Sequence, residues 1–325
     1  MRTLVTGCAG FIGYHLCERL LANGDEIVGI DNLNPYYSVA LKKARLHRLQ
    51  RHERFEYQAM ELADRTAIAT LFQDAGCKRV IHLAAQAGVR HSLDHPHDYV
   101  DANVMGFLHI LEGCRHQELP LVYASSSSVY GNNEKAPFQV SDRVDAPISL
   151  YAATKRAGEL MAQCYTHLYK MQATGLRFFT VYGPWGRPDM AYFKFAEAIH
   201  EGRAIDVYNH GELMRDFTYV EDVVEGIVQV SRTMAPGHRI YNLGASQPTR
   251  LLDFIATLEQ AMGTRAIRNL VAMQPGDVRG TWADTSALQR DTGYTPTTPL
   301  TDGLEAFVAW YRSEWPSIRA DTSTA

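Results

Sequence analysis

The chain of 325 residues has little cysteine, and no two cysteines form a CxxC pair. Cys8, Cys17, Cys77, Cys114 and Cys164 are odd in number and scattered, which predicts reduced thiols in a cytoplasmic protein. There is no basic excess. The formal net charge of −4 and a pI near 6.3 disfavour a partner with a phosphate backbone, so no nucleic acid is expected. No apolar run approaches the roughly 18 residues of a membrane helix, so no membrane is expected either. The opening Met1-Arg2-Thr3-Leu4-Val5-Thr6-Gly7 reaches glycine too early for a signal peptide. No internal repeat or low-complexity tract is evident. What remains is ordinary globular composition, 46% hydrophobic and 21% charged, long enough for one large domain or two with a core that needs no staples.

Short β-branched or apolar runs alternate with longer amphipathic ones. Strands are predicted at 3–6, 26–30, 55–59, 79–83, 121–125 and 176–180, and helices at 11–22, 39–51, 64–74, 100–115 and 151–169. Such alternation implies βαβ crossovers, hence an α/β fold with a doubly wound parallel sheet covered on both faces. Proline is scarce at first: only Pro35 and Pro96 fall within residues 1–119, against 13 in the whole chain. Loop-rich segments follow, such as Val181–Pro188 and Tyr294–Pro299. The expected division is a dinucleotide-binding domain over 1–180, to which about 217–245 returns through a strand at 239–243, and a smaller, irregular substrate domain over 181–325.

Gly7-Cys8-Ala9-Gly10-Phe11-Ile12-Gly13 follows the first predicted strand and opens the first helix. Glycines there permit a tight turn and close backbone approach, and the helix N-terminus offers N–H groups to a pyrophosphate. The spacing is GxxGxxG, which departs from the commonest fingerprint, and glycines alone also serve ordinary turns. Context adds weight, because the second strand ends at Asp31, about 20 residues on, where a carboxylate accepts bonds from an adenosine ribose. The same carboxylate repels a 2′-phosphate and no arginine follows it directly, so NAD is preferred to NADP.

A second constellation joins Tyr123-Ala124-Ser125-Ser126-Ser127-Ser128-Val129-Tyr130-Gly131 to Leu150-Tyr151-Ala152-Ala153-Thr154-Lys155. Tyr151 and Lys155 lie one helical turn apart on one face. A tyrosine titrates near 10 and is a poor base at neutral pH, but nearby cations favour the phenolate. A serine hydroxyl from the strand end can bond the same substrate oxygen. YxxxK is common by chance, as a surface pair; behind a dinucleotide turn and a serine-rich strand end it reads as machinery for oxidising an alcohol.

With these motifs the sequence resembles the extended short-chain dehydrogenase/reductase family, and within it the UDP-glucuronate 4-epimerases. The likeness runs through Gly7–Gly13, Asp31–Asn34, Leu83–Arg90, Ser125–Gly131, Tyr151–Lys155, Leu176–Met190 and Met214–Val220. It implies an NAD-dependent isomerase acting on a UDP-sugar. Ser126 is the implied hydroxyl partner, Tyr151 the base, and Lys155 its support and a ribose ligand. Gly7, Gly10, Phe11, Ile12, Gly13, Asp31, Asn32, Leu83, Ala84, Ala85, Asn103, Ser125 and Phe178 are implied at the cofactor, with Asp64 as the acid on its adenine side. Arg90, Met190 and Asp277 are implied at the substrate, and Arg215 at its diphosphate. A homodimer is implied as well, through helices 100–115 and 151–169, although periodicity alone explains their apolar faces equally well by the core.

Three fates share a first step that oxidises the sugar C4 hydroxyl. Related dehydratases place acidic residues directly after the catalytic hydroxyl; Ser127 and Ser128 stand here instead, which argues against elimination and for 4-epimerisation. The loop Phe178–Met190 is implied to carry Thr180 and Arg187 towards C6, joined by Ser127 and Ser128. Guanidinium and hydroxyls together suit a carboxylate, hence UDP-glucuronate and UDP-galacturonate. An ion pair within the loop is the plainer role for Arg187. Neutral-hexose epimerisation and decarboxylation to a pentose stay open, as does a non-enzymatic NAD sensor, which has no need of a proton relay. His91, His95 and His97 with Asp94 and Asp98 are unevenly spaced in a loop containing proline, and no metal is expected. Lys42–Arg54 reads as the solvated face of a surface helix. Gln274 and Arg279 depart from the family pattern.

Overall fold

The computed structural model describes residues 1–273 and 280–322. Its first half alternates β1 (Arg2–Thr6), α1 (Phe11–Ala22), β2 (Glu26–Asp31), α2 (Val39–Leu49), β3 (Phe55–Ala59), α3 (Arg65–Asp74) and β4 (Arg79–His82). Then come α4 (His91–Asp94), α5 (Pro96–Val100), a π-turn at Asp101–Met105, α6 (Gly106–His116), β5 (Leu121–Ser126), α7 (Leu150–Tyr169) and β6 (Gln172–Phe178). The second half holds β7 (Thr180–Tyr182), α8 (Ala191–His200), β8 (Ala204–Tyr208), β9 (Met214–Tyr219), α9 (Val220–Arg232) and β10 (Gly237–Leu243). β11 (Pro248–Arg250), α10 (Leu251–Met262), β12 (Ile267–Val271), β13 (Gly280–Thr281), α11 (Ser286–Thr292), α12 (Leu300–Ser313) and α13 (Trp315–Thr322) complete it.

Seven strands form one parallel sheet in the order β10-β6-β5-β4-β1-β2-β3. This is the expected doubly wound α/β architecture, and the stretch near Arg239–Leu243 does return to it, pairing Gly237 with Gln172 through Leu243 with Phe178. Parallel strands are buried on both faces. Accordingly α1, α2 and α9 close one apolar layer around Leu16, Leu20 and Ile227, and α3, α6 and α7 close the other around Ile68, Ile110 and Ala162. Smaller sheets lie beyond: β9 pairs with β7, β11 and β13, and β12 pairs with β8. No helix among the described residues is long and apolar enough to cross a membrane.

Two departures from the sequence reading have clear causes. β6 starts at Gln172, four residues before the expected strand, and breaks after Phe178. Its early residues Ala173 and Gly175 lack the β-branched signature, yet they are held by ladders to β5 and β10, and Gly175 makes room for the Tyr123 ring. The helix expected over 100–115 is interrupted by the π-turn, which turns Asn103 inward.

α7 is docked by ionic bonds as well as by packing. The Glu159 carboxylate is 1% exposed and accepts from Ser125 Oγ at 2.6 Å, Arg177 Nε and Nη2 at 2.8 Å each, and Arg156 Nη1 at 2.9 Å. It thereby ties the helix carrying Tyr151 and Lys155 to the end of β5 and to β6. Removing one partner of such a buried pair strands the other charge. Glu159→Ala is therefore expected to cost about 3–5 kcal/mol in denaturant unfolding; a loss below about 1 kcal/mol, the range of a surface pair, would refute this account of α7.

Candidate active site

The order in which the chain adds strands reverses between β1 and β4, and a cavity of about 1190 Å³ opens along the carboxyl ends of the strands. This is the crevice where ligands bind open α/β sheets. Its floor is the glycine turn. Gly7 has φ of +73°, and a Cβ there would lie 2.8 Å from Ala84 N; one on Gly13 would collide with Gly7 O. No side chain caps the first turn of α1, whose N-cap is Gly10, so the helix N-terminus faces the cavity as an anion site. Asp31 lies at the end of β2, accepting from Ala9 N at 3.2 Å and Leu33 N at 2.8 Å. Glycines that tolerate no side chain, an uncapped helix start and a carboxylate beyond β2 fit a dinucleotide.

Gly7, Gly10, Phe11, Ile12, Gly13, Asp31, Asn32, Leu83, Ala84, Ala85, Ser125, Lys155 and Phe178, all expected at the cofactor, line this cavity. Two expected cofactor residues do not. Asp64 is exposed and caps α3, its Oδ1 accepting from Ala67 N at 2.9 Å; the acid in the wall is Glu61, which accepts from Asn32 Nδ2 at 2.7 Å. The first turn of α3 claims the later carboxylate, so the earlier one is left to the cavity. Asn103 is buried behind the wall, where it accepts from Gln86 N at 2.8 Å and donates to Gln86 O at 3.0 Å and Thr154 Oγ1 at 3.1 Å. It braces the loop after β4.

Ser126, Tyr151 and Lys155 do meet in the wall. Ser126 caps the short 3-10 turn Ser127–Tyr130, accepting from Ser128 N at 3.2 Å and donating to Ser128 Oγ at 3.1 Å. Burial pushes the Tyr151 phenol above its ordinary value, while a hydrogen bond from Ser126 and the Arg187 charge pull it back. The sequence pointed to Lys155 as the supporting cation. Lys155 Nζ donates instead to Ala124 O at 3.1 Å, and burial lowers its pKa to about 8.

Arg90, Ser127, Ser128, Thr180, Arg187, Met190 and Arg215 share the same cavity. Asp277, like Gln274 and Arg279, lies outside the described residues. The Arg187 fork holds Asp189 with two hydrogen bonds, Nε to Oδ1 at 3.0 Å and Nη2 to Oδ2, so the ion pair within the loop is present. Tyr36 OH donates to Asp189 Oδ2 at 3.0 Å. Burial raises the Asp189 carboxyl, but the guanidinium beside it prevails and holds it below the usual range. Tyr36, Asp189 and Glu61 were not singled out from the sequence; the paired aromatics after Pro35 were the available signal.

The basic stretch also differs from expectation. Lys42 and Arg45 face inward, at 7% and 0% exposure. Arg45 Nη1 donates to Ala9 O at 2.9 Å and to Tyr37 OH at 2.8 Å, and Nε and Nη2 reach the carbonyls of Trp185 and Gly186. Helical spacing of basic residues looks alike whether the helix meets water or a ring of carbonyls. His91 and His95 stack on each other with ring centroids 4.2 Å apart, and among the described residues no three His, Cys, Asp or Glu side chains are grouped for a metal.

Residues 3–244 match the model of the NAD dependent epimerase/dehydratase family. The chain is 47% identical to a probable UDP-glucuronate 4-epimerase of Rhizobium meliloti, covering 96% of this chain and 97% of that protein. It is 45% identical to UDP-glucuronate 4-epimerase 3 of Arabidopsis thaliana, covering 95% and 76%. Among solved structures, the UDP-glucuronic acid 4-epimerase of Bacillus cereus in complex with UDP-glucuronic acid and NAD superposes with a TM-score of 0.90 at 35% identity, covering 96% and 99%.

The buried lysines make a pH prediction. Burial lowers the Lys155 and Lys42 ammonium groups to about 8 in the folded chain, against an ordinary value of 10.5. Between those values the unfolded chain binds more protons at each lysine, which favours folding as pH rises, while the thiols of Cys8, Cys17, Cys77 and Cys114, all pushed up by burial, work the other way once unfolded thiols ionise. The stability of wild type minus that of Lys155→Met is therefore expected to grow with pH from about 8 to about 10, by up to about 1.4 kcal/mol per pH unit. Denaturant melts of both proteins across this window check it, and an unchanged difference refutes it.

Proposed function

The chain belongs to the NAD dependent epimerase/dehydratase family, and from that premise we propose that it interconverts UDP-glucuronate and UDP-galacturonate by inverting C4 of the sugar. The observation that carries the reading is one continuous cavity lined by the glycine turn, by Ser126, Tyr151 and Lys155, and by Arg187 with Ser127, Ser128 and Thr180. The named relatives and the Bacillus cereus structure support the same substrate.

The chemistry supplied by bound NAD is reversible two-electron oxidation at C4. Gly7, Gly10 and Gly13 take the pyrophosphate at the start of α1, and Asp31 takes the adenosine ribose. Tyr151 removes the proton of the C4 hydroxyl and later returns it, with Ser126 bonding the same oxygen. Lys155 lies one turn away, where its charge would stabilise the phenolate and its Nζ, which donates to Ala124 O, would also serve the cofactor's ribose. Arg215 holds the diphosphate. Nothing acidic follows Ser126, so the 4-keto sugar is not set up to expel water; it turns over and is reduced from its other face.

Arg187 and the hydroxyls of Ser127, Ser128 and Thr180 grip the C6 carboxylate. A 4-keto uronate is a β-keto acid and loses CO₂ when its carboxylate stands perpendicular to the carbonyl plane, so the grip protects as well as recognises. We assign residues 1–180 with about 217–245 to the dinucleotide and the rest of 181–325 to the nucleotide sugar. Two copies pair through α6 and α7, where Leu160, Leu168 and Tyr169 are 54%, 60% and 42% exposed. Five unpaired thiols suit the reducing cytoplasm.

The test is incubation of the purified protein with UDP-glucuronate and NMR of the sugar. UDP-galacturonate is expected, without net production of reduced cofactor; a pentose or no reaction would falsify the reading. Tyr151→Phe is expected to lower kcat by about 10²–10⁴. Arg187→Ala is expected to raise KM for the uronate by roughly ten-fold or more and to divert product to pentose; unchanged KM and product ratio would remove the carboxylate role.

A further inference from the structure

Arg187 does not wait for an anion with its fork open. Its Nε and Nη2 are bound to the two oxygens of Asp189, two residues along the same loop, in the side-on geometry a ligand carboxylate would adopt. Both side chains lie in the cavity wall and stay partly accessible, at 21% and 22%.

We propose that Asp189 is a resident stand-in for the uronate carboxylate, and that substrate binds by exchanging with it on Arg187. The inference rests on the reading that Arg187 receives the C6 carboxylate. Exchange is physically accessible because the displaced Asp189 keeps partners. Tyr36 OH already donates to its Oδ2 at 3.0 Å, and the Lys42 ammonium interacts with it favourably. A guanidinium left unpaired in a half-buried site is costly; the exchange keeps Arg187 paired before and after binding. It also sets specificity. A neutral sugar carries no anion to exchange and leaves the Arg187–Asp189 pair closed, so only the uronate both breaks that pair and replaces it. Asp189 thus lowers the affinity for the true substrate in return for an empty site that holds no stray anion.

The experiment measures KM and kcat for UDP-glucuronate, and binding of UDP-glucose, with NAD-loaded wild type, Asp189→Asn and Tyr36→Phe. Asp189→Asn is expected to lower KM for UDP-glucuronate by roughly ten-fold, the size of one charge-assisted pair that no longer has to be broken, while UDP-glucose affinity stays put. Tyr36→Phe leaves both charges but removes a partner that receives the displaced Asp189, so KM rises by a few-fold. If Asp189 merely orients Arg187, Asp189→Asn raises KM as well. A KM that is unchanged or higher in Asp189→Asn, in an enzyme whose wild type turns over UDP-glucuronate, overturns this inference alone. A wild type that does not turn it over overturns the functional reading and this inference with it.

Discussion

One buried cation organises the cavity. The Arg45 guanidinium, fully removed from solvent, bonds carbonyls of the glycine turn at Ala9 and of the 185–186 loop, and the hydroxyl of Tyr37. A buried charge without donors' partners is far too costly to keep, so these segments cannot drift apart. Ala9 belongs to the turn that approaches the dinucleotide, and Gly186 directly precedes Arg187. The end of the cavity suited to a cofactor and the end suited to a sugar acid are therefore held in register by the same side chain. Tyr37, which also packs against Lys42, brings the loop after β2 into that cluster.

A second anchor, Glu159 with Arg177, does the corresponding work for the opposite wall of the cavity. Through Ser125 it fixes the end of β5, and through its own helix the height of Tyr151 and Lys155. Burial dominates the proton affinities that result: the phenol is raised and the ammonium lowered. Both shifts favour neutral side chains.

Much of this was legible from residue order. The glycine turn, the acid at the end of β2, the serine run after β5 and the Tyr151–Lys155 turn are local patterns, and the bounds of α1 and β3 follow directly from periodicity. What was not legible depends on neighbours. Which of two acids after β3 faces the crevice turns on Asp64 being taken by the α3 N-terminus. Asn103 leaves the cavity because a π-turn rotates it towards Gln86. Lys42 and Arg45 sit on a helix whose basic pattern reads as solvent-facing until the carbonyls of a loop some 140 residues away close over it. Sequence left Arg187 free to meet a ligand or a loop carboxylate, and the fold pairs it with Asp189.

Order along the chain, by itself, determined the layered α/β architecture and the chemical repertoire, because strand period, helix period and short motifs are properties of neighbouring residues. Tertiary structure alone decided which charges face inward, which carboxylate holds which arginine, and how far burial moves each proton affinity. Those outcomes arise from groups distant in the chain brought within hydrogen-bond reach away from water, where the energy of a charge is set by whatever surrounds it.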